Sequence, residues 1–267
     1  MSAAQRALLA SVAAIARGAA EEILAVYAAG VVSVSEKADR SPLTAADLRA
    51  HRHIVAALAE LTPHTPILSE ESAAVAAAQR ASWPRYWLVD PLDGTKEFLA
   101  RNGQFTVNTA LIEGHTPVLG VVHIPATGVS YQGLPGSGAW RQQTRAAAEP
   151  IRVAERSARA VRVAASRSHR GDSLAGFLER LGPHELISVG SSLKLCMVAE
   201  GSADVYPRLG PTSEWDTAAA HAVVAAAGGT VSALDGAALR YNTGAGLLNP
   251  SFVAYGPNDH DWLALLR

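Results

Sequence analysis

Cysteine is nearly absent. Cys196 stands alone in 267 residues, which excludes a disulfide within the chain and fits a reducing compartment. Charge imbalance is absent as well: 23 Lys and Arg face 24 Asp and Glu, a formal net charge of -1. With aromatic residues at only 6%, the chain lacks both the basic surface and the stacking rings that long nucleic acid requires. No apolar run is long enough to span a bilayer. Ala7 to Ala16 is apolar in the manner of a signal-peptide core, but Arg17, Glu21 and Glu22 follow at once. Leu8, Val12, Ile15, Ile23 and Val26 keep one helical face, so the segment reads as a mature amphipathic helix.

What is present is core-forming material. Hydrophobic residues make up 49% and charged residues 18%, a globular composition with length for one large domain or two lobes. The first helix is expected from about Ala4 to Ala28. A second begins at Thr44, where Thr44 and Asp47 form a T-x-x-D capping box, and runs to about Leu61 before Pro63 and Pro66. Strands are expected at Ile67-Leu68, Tyr86 to Val89, Phe105 to Ile112, Val118 to Ile124 and Gly128 to Gln132. Gly133 to Gly138 reads as a turn; it lacks the Lys-Ser/Thr ending of a phosphate loop.

A composition change at Thr144 to Pro150 suggests an N-terminal α+β lobe over 1–148 and a C-terminal α/β lobe over 149–267. In the second, strands at Val161 to Ala165, Leu186 to Val189, Ala203 to Tyr206 and Phe252 to Tyr255 alternate with helices at Ser173 to Leu181, Ser192 to Glu200 and Ser213 to Ala227.

The chemistry concentrates in Asp90-Pro91-Leu92-Asp93-Gly94-Thr95, directly after an apolar strand. Two carboxylates three residues apart at a strand end can converge on a hard cation such as Mg²⁺, and the Leu92 carbonyl offers a further oxygen. Gly94 permits a sharp turn, and free N–H groups at Gly94 and Thr95 would open a helix towards a phosphate. By itself the hexapeptide also suits an Asp-capped turn without chemistry. Glu70-Glu71 after the strand Ile67-Leu68, and Trp215-Asp216 at a helix start, are likewise bland when taken singly.

Together they are not. Glu-Glu, then D-P-L-D-G-T-x-x-F, then W-D-T-A-A, in this order, resembles the inositol monophosphatase superfamily of lithium-sensitive phosphatases. The resemblance runs from Lys37 to the glycines after Asp216, nearly the whole chain. It implies an α/β fold layered as an αβαβα sandwich, Mg²⁺ (two or three ions) as cofactor, and inhibition by Li⁺. It further implies that Glu70, Asp90 and the Leu92 carbonyl hold one metal, and that Asp90, Asp93 and Asp216 hold a second. Thr95 would position the attacking water, with Asp47 orienting Thr95, while Glu70 touches a third ion. A capping carboxylate looks identical in sequence, so Asp47 carries both readings.

Substrate choice belongs to the second lobe. Ser166-Arg167-Ser168-His169, Gly190-Ser191-Ser192-Leu193-Lys194 and Arg208 resemble the 3'(2'),5'-bisphosphate nucleotidase branch of that family. The resemblance implies that Ser166, His169, Gly190, Ser191, Lys194 and Arg208 contact the nucleotide, beside Asp93, Gly94, Thr95 and Asp216. Two cations, Lys194 and Arg208, suit a second phosphate away from the metals. The implied partner is a small nucleotide bisphosphate, adenosine 3',5'-bisphosphate or its phosphosulfate relative, in sulfur assimilation. The implied setting is cytoplasmic, with peripheral attachment to the inner face of the membrane left open. An inositol or sugar monophosphatase, or a non-catalytic nucleotide or metal sensor, are the rival readings. The arginines at 152, 156, 159, 162, 167 and 170 read as solvated faces or as steering charges.

Overall fold

The computed structural model of the chain describes residues 2–30, 34–36, 42–155, 160–167, 172–257 and 260–266. In chain order come α1 (Ala3–Ala29), the short antiparallel pair β1 (Val34–Glu36) and β2 (Pro42–Thr44), α2 (Ala45–Leu61) and β3 (Ile67–Ser69). After a 3₁₀ turn at Glu70–Ser72 follow α3 (Ala77–Ala81), β4 (Arg85–Asp93) and α4 (Thr95–Leu99). A meander is then built by β5 (Thr106–Glu113), β6 (Thr116–Ile124), β7 (Val129–Leu134), β8 (Gly138–Gln143) and β9 (Glu149–Ile151). The remainder is β10 (Val161–Ser166), α5 (Asp172–Leu181), β11 (His184–Val189), α6 (Leu193–Ala199), β12 (Val205–Arg208), α7 (Glu214–Ala226), β13 (Thr230–Ala233), β14 (Phe252–Tyr255) and α8 (Trp262–Leu266).

Strands β3 to β9 form a seven-stranded sheet in sequence order, antiparallel except for the β3–β4 pair. A second sheet of five strands has the order β11-β10-β12-β14-β13. Its β10, β11 and β12 run parallel, while β14 and β13 are antiparallel additions, so the alternation expected from sequence holds for only part of it. Strand β8 and β9 were not expected. The glycine-rich segment 133–138 is the end of β7, a turn and the start of β8, and β9 lies inside the expected lobe boundary.

Alternation along each strand sends side chains to opposite faces, and the cores follow. Trp87 and Val89 of β4, Val107 and Leu111 of β5 and Val121 of β6 pack with α1 and α2. Tyr86 and Leu88, Ala110 and Ile112, and Val122 turn the other way, onto α6, α7 and the second sheet. The far face of that sheet is covered by α5 and α8 through Leu174, Phe177, Trp262 and Leu266. The result is an αβαβα sandwich with α6 and α7 in the middle layer.

Helix α7 sits unusually deep. Gly120 of β6 and Gly133 of β7 are register partners, and a Cβ at either would lie within 2.1 Å of the Ala219 carbonyl or 2.5 Å of Val223 Cα. Two facing glycines therefore make the hollow that seats the helix and let it approach the sheet closely.

Candidate metal centre and substrate cleft

Asp90 lies on the same face of β4 as Leu88, towards α7. Strict alternation would send Asp93, three residues on, to the opposite face. It does not, because the register with β5 shifts: Asp90 pairs with Asn108 and Asp93 with Thr106, three steps against two. One extra residue on β4 makes a bulge, and a bulge re-aims the side chain beyond it. The two aspartates thus share a face, and Asp216, in the first turn of α7, meets them there. Ligand atoms of Asp90, Asp93 and Asp216 all lie within 4.8 Å of one another.

Each carboxylate is half-satisfied by protein. Asp93 Oδ2 accepts from Ser191 Oγ, the Ser192 N–H and Ser192 Oγ, each at 2.7 Å. Asp216 Oδ2 accepts from Thr212 Oγ1 at 2.8 Å and the Ser213 N–H at 2.9 Å. Among the described residues no hydrogen bond reaches the other oxygen of either. Asp90 Oδ1 accepts the Leu92 N–H at 3.0 Å, and Glu70 lies close enough to share a hydrogen bond with Asp90.

Crowded, buried carboxylates resist ionisation. Burial first, then the charges of Glu70, Asp93 and Asp216, push Asp90 well above its ordinary value. Burial and the Asp93 charge push Asp216 up to about 7, against the lowering pull of Ser213 and Thr212. An all-oxygen set of mutually repelling acids with outward oxygens left over fits a hard divalent cation, which removes the repulsion that protons otherwise must.

Thr95 opens α4 immediately after Gly94, whose φ of 90° is the left-handed turn expected from glycine. Its hydroxyl lies 3.3 Å from both Asp47 Oδ1 and the Leu92 carbonyl. Asp47 is fully buried and does two things at once. Its Oδ2 accepts the Thr44 N–H at 2.8 Å and the Thr44 hydroxyl at 2.7 Å, the capping box, while Oδ1 faces Thr95. The cap and the approach to Thr95 use different oxygens of Asp47, so the one does not preclude the other.

The carboxylates form one side of a cleft whose lining includes Gly94, Thr95, Ser166, Gly190, Lys194 and Arg208. Lys194 is buried, its ammonium donating to the Ser191 carbonyl at 2.5 Å and lying 5.6 Å from the centre of the Tyr206 ring. Burial lowers it to about 8, with Asp93 opposing and Arg208 assisting that shift. Arg208 donates from Nε to the Gly210 carbonyl at 3.1 Å and from Nη2 to the Pro211 carbonyl. Gly190 is a steric requirement, since a Cβ there would lie 2.6 Å from Glu97 Cγ.

The inositol monophosphatase family model matches residues 4–264. This chain belongs to the inositol monophosphatase family. Within it, a Salmonella typhimurium protein named 3'(2'),5'-bisphosphate nucleotidase CysQ is 50% identical over 246 residues, 92% of this chain and 98% of that protein. The solved structure of CysQ from Bacteroides thetaiotaomicron, a bacterial member of the family, is 39% identical, with a TM-score of 0.79 over 94% of this chain and 97% of its own. The Thermotoga maritima IMPase shares 25% identity at the same TM-score of 0.79.

Of the residues singled out in this family member's sequence, His169 lies outside the described residues, as do the stretch 37–41 and the arginines at 156, 159 and 170. Arg162 is an ion-pair residue, 2.7 Å from Asp204. Several residues that surround Asp93 escaped the sequence reading. Ser192 holds Asp93, and Asn108 Nδ2 donates to Ser192 Oγ at 2.7 Å. Thr106 Oγ1 pairs with Ser191 Oγ at 2.6 Å. Their signal was available: Thr106 and Asn108 are polar residues two apart in an otherwise apolar strand, on the face that carries Ala110 and Ile112.

Proposed function

We propose that this chain is a Mg²⁺-dependent 3'(2'),5'-bisphosphate nucleotidase. It would remove the 3'-phosphate of adenosine 3',5'-bisphosphate to leave AMP and phosphate, and act likewise on the phosphosulfate analogue in sulfur assimilation. The observation that carries the reading is the pairing, in one cleft, of the Asp90, Asp93 and Asp216 cluster with Lys194 and Arg208. An ester with one phosphate needs the first group only; the second gives a distal phosphate its own charge-assisted donors. The similarity to relatives named for this activity supports it.

Glu70, Asp90, the Leu92 carbonyl, Asp93 and Asp216 would hold two or three ions. Bound Mg²⁺ neutralises the phosphoryl oxygens and lowers the pKa of the attacking water, which is why Li⁺ in its place should inhibit. The chain's own part is placement. With the Thr95 proton turned to Asp47 Oδ1, the Thr95 oxygen keeps lone pairs to accept a hydrogen bond from water and hold it in line with phosphorus. Gly94 and Thr95, which line the cleft at the start of α4, would offer their N–H groups to the phosphoryl oxygens. Ser166, His169, Gly190 and Ser191 would line the nucleotide. A cytoplasmic setting suits this substrate, whether or not the protein also touches the inner membrane surface.

The test is a substrate panel: adenosine 3',5'-bisphosphate, 3'-AMP and inositol 1-phosphate, with and without Mg²⁺. Preference for the bisphosphate by at least ~10-fold in kcat/KM is the expected outcome. Equal or better turnover of inositol 1-phosphate returns the chain to the monophosphatase reading, and no phosphate release from any substrate leaves a sensor.

A further inference from the structure

Asp90 and Asp93 are held by β4, paired on both sides within the large sheet, but Glu70 and Asp216 come from outside its strands. Glu70 follows the edge strand β3, and Asp216 begins a helix whose N-terminus lies in a nest of loop. That nest is residues 241–249. The Leu247 carbonyl accepts the Glu214 N–H at 2.8 Å, the Asn249 N–H donates to the Thr212 carbonyl at 2.9 Å, and Asn249 Nδ2 donates to the Ser213 carbonyl at 2.8 Å.

One buried side chain joins the segment after Glu70 to the loop around the start of α7. Arg80, only 2% exposed, sits in α3 on the segment that follows Glu70. Its Nε donates to the Val75 carbonyl at 3.2 Å, in its own segment. Its Nη1 donates to Asn242 Oδ1 at 2.7 Å and its Nη2 to the Ala245 carbonyl at 2.9 Å, in the nest. Asn242 answers, donating from Nδ2 to the Arg80 carbonyl at 2.8 Å. The Asn242 N–H then points at Glu214, 2.8 Å from each carboxylate oxygen. Glu214 is itself buried and stands two residues before Asp216 on the same helical turn.

We infer that Arg80 and Asn242 form a clasp that positions Glu70 and Asp216 relative to each other for metal binding. This rests on the proposed metal site and touches no ion directly, so both are positioning residues. The planar guanidinium suits the task because it supplies donors in fixed directions to three acceptors on two segments, which a lysine cannot. Asn242 has φ 54°, a backbone state asparagine tolerates, so its N–H and side chain can serve Glu214 and Arg80 together.

The experiment uses Asn242→Gly, which keeps the left-handed backbone and the N–H to Glu214 but deletes both side-chain bonds to Arg80. Arg80→Lys is the companion variant, keeping charge and losing the fork. Mg²⁺ binding to the substrate-free protein is measured by titration calorimetry, beside the Mg²⁺ dependence of turnover, well below the unfolding temperature. Expected is Mg²⁺ affinity weaker by ~10-fold, the scale at which metal sites respond to loss of their supporting bonds, with kcat recovered within ~3-fold at saturating Mg²⁺. A merely structural contact would lower the melting temperature and leave the Mg²⁺ constant of the folded protein unchanged. An unchanged isotherm in folded Asn242→Gly overturns the clasp while the metal site stands, provided Asp93→Asn weakens Mg²⁺ binding in the same assay. Absence of Mg²⁺ binding by the unaltered protein overturns the site and the clasp together.

Discussion

The two sides of the cleft each join a buried ionisable group, Asp90 or Lys194, to partly buried ones, yet they are built on opposite plans. On the carboxylate side, Asp90, Asp93 and Asp216 are gathered closely enough that burial and neighbouring charge raise Asp90 and Asp216, and among the described residues no hydrogen bond reaches the second oxygen of Asp93 or of Asp216. That side is incomplete as a polypeptide. On the cationic side, Lys194 and Arg208 already donate hydrogen bonds to the carbonyls of Ser191, Gly210 and Pro211. That side is already anchored by the polypeptide and keeps further donors on each cation, so a ligand there supplements bonds the chain makes for itself. Removing a group from the first should therefore abolish chemistry, and from the second should alter choice.

The comparison breaks most sharply at Asp93. Asp93→Asn takes one anion from the cluster and replaces one of its oxygens by an NH₂ donor, leaving a single oxygen for both Ser191–Ser192 and a cation, and turnover should fall by orders of magnitude. Near-normal kcat in a folded Asp93→Asn protein would mean that the carboxylates are not a catalytic metal site. Thr95→Ala is the next largest effect, a loss of roughly 10²-fold in kcat with Mg²⁺ affinity kept, because the ligand carboxylates are untouched. Calorimetry beside steady-state rates separates that outcome from metal loss.

On the cationic side, Lys194→Ala and Arg208→Ala should each cost about 1.5 to 3 kcal/mol on the bisphosphate, roughly 10- to 100-fold in kcat/KM, and little on 3'-AMP or inositol 1-phosphate. Equal losses on all three substrates would show that the cations act through the fold rather than on a distal phosphate.

The smallest effect is in stability against pH, and its sign depends on the metal. Asp216, raised to about 7, and Asp90, raised in the same direction, bind protons in the folded state that the unfolded chain releases near its ordinary value. Their contribution is thus lost as pH rises through about 7 in metal-free protein, and Mg²⁺ should restore it. The rise in melting temperature on adding Mg²⁺ should be larger at pH 8 than at pH 5.5. Burial lowers His123 and His221 to about 4. They bind fewer protons folded than unfolded between their ordinary value near 6.5 and 4, so Mg²⁺-saturated protein should lose stability as pH falls through that window. A Mg²⁺ shift independent of pH would indicate binding away from these carboxylates.

Much of the architecture was legible because it is locally coded. The Thr44–Asp47 capping box placed the start of α2, and apolar alternation found β5 and β6 to within two residues at each end. Less legible were β8, β9 and β13, short segments rich in glycine, proline and polar residues whose pairing comes from neighbours rather than their own pattern. Helix α8 is a single turn and a half whose Trp262 and Leu266 are fixed by the second sheet, a context no window of sequence contains.

The site divides in the same way. By itself the sequence located the candidate oxygen donors, since the carboxylates and the D-P-L-D-G-T run are matters of residue type and order. It also determined that Asp47 and Asp216 stand in first helical turns, because caps are written within four residues. Only the tertiary structure decided what those two similar caps do. Both lend one oxygen to their own helix start, but α2 aims the other at Thr95 while α7, sunk onto Gly120 and Gly133, carries its own into the cluster. The same holds for Asp93, which alternation assigns to the wrong face until the β4 bulge turns it round. Convergence of groups from distant segments depends on how deeply elements pack and where a ladder slips, and those are set by contacts between segments that are far apart in the chain.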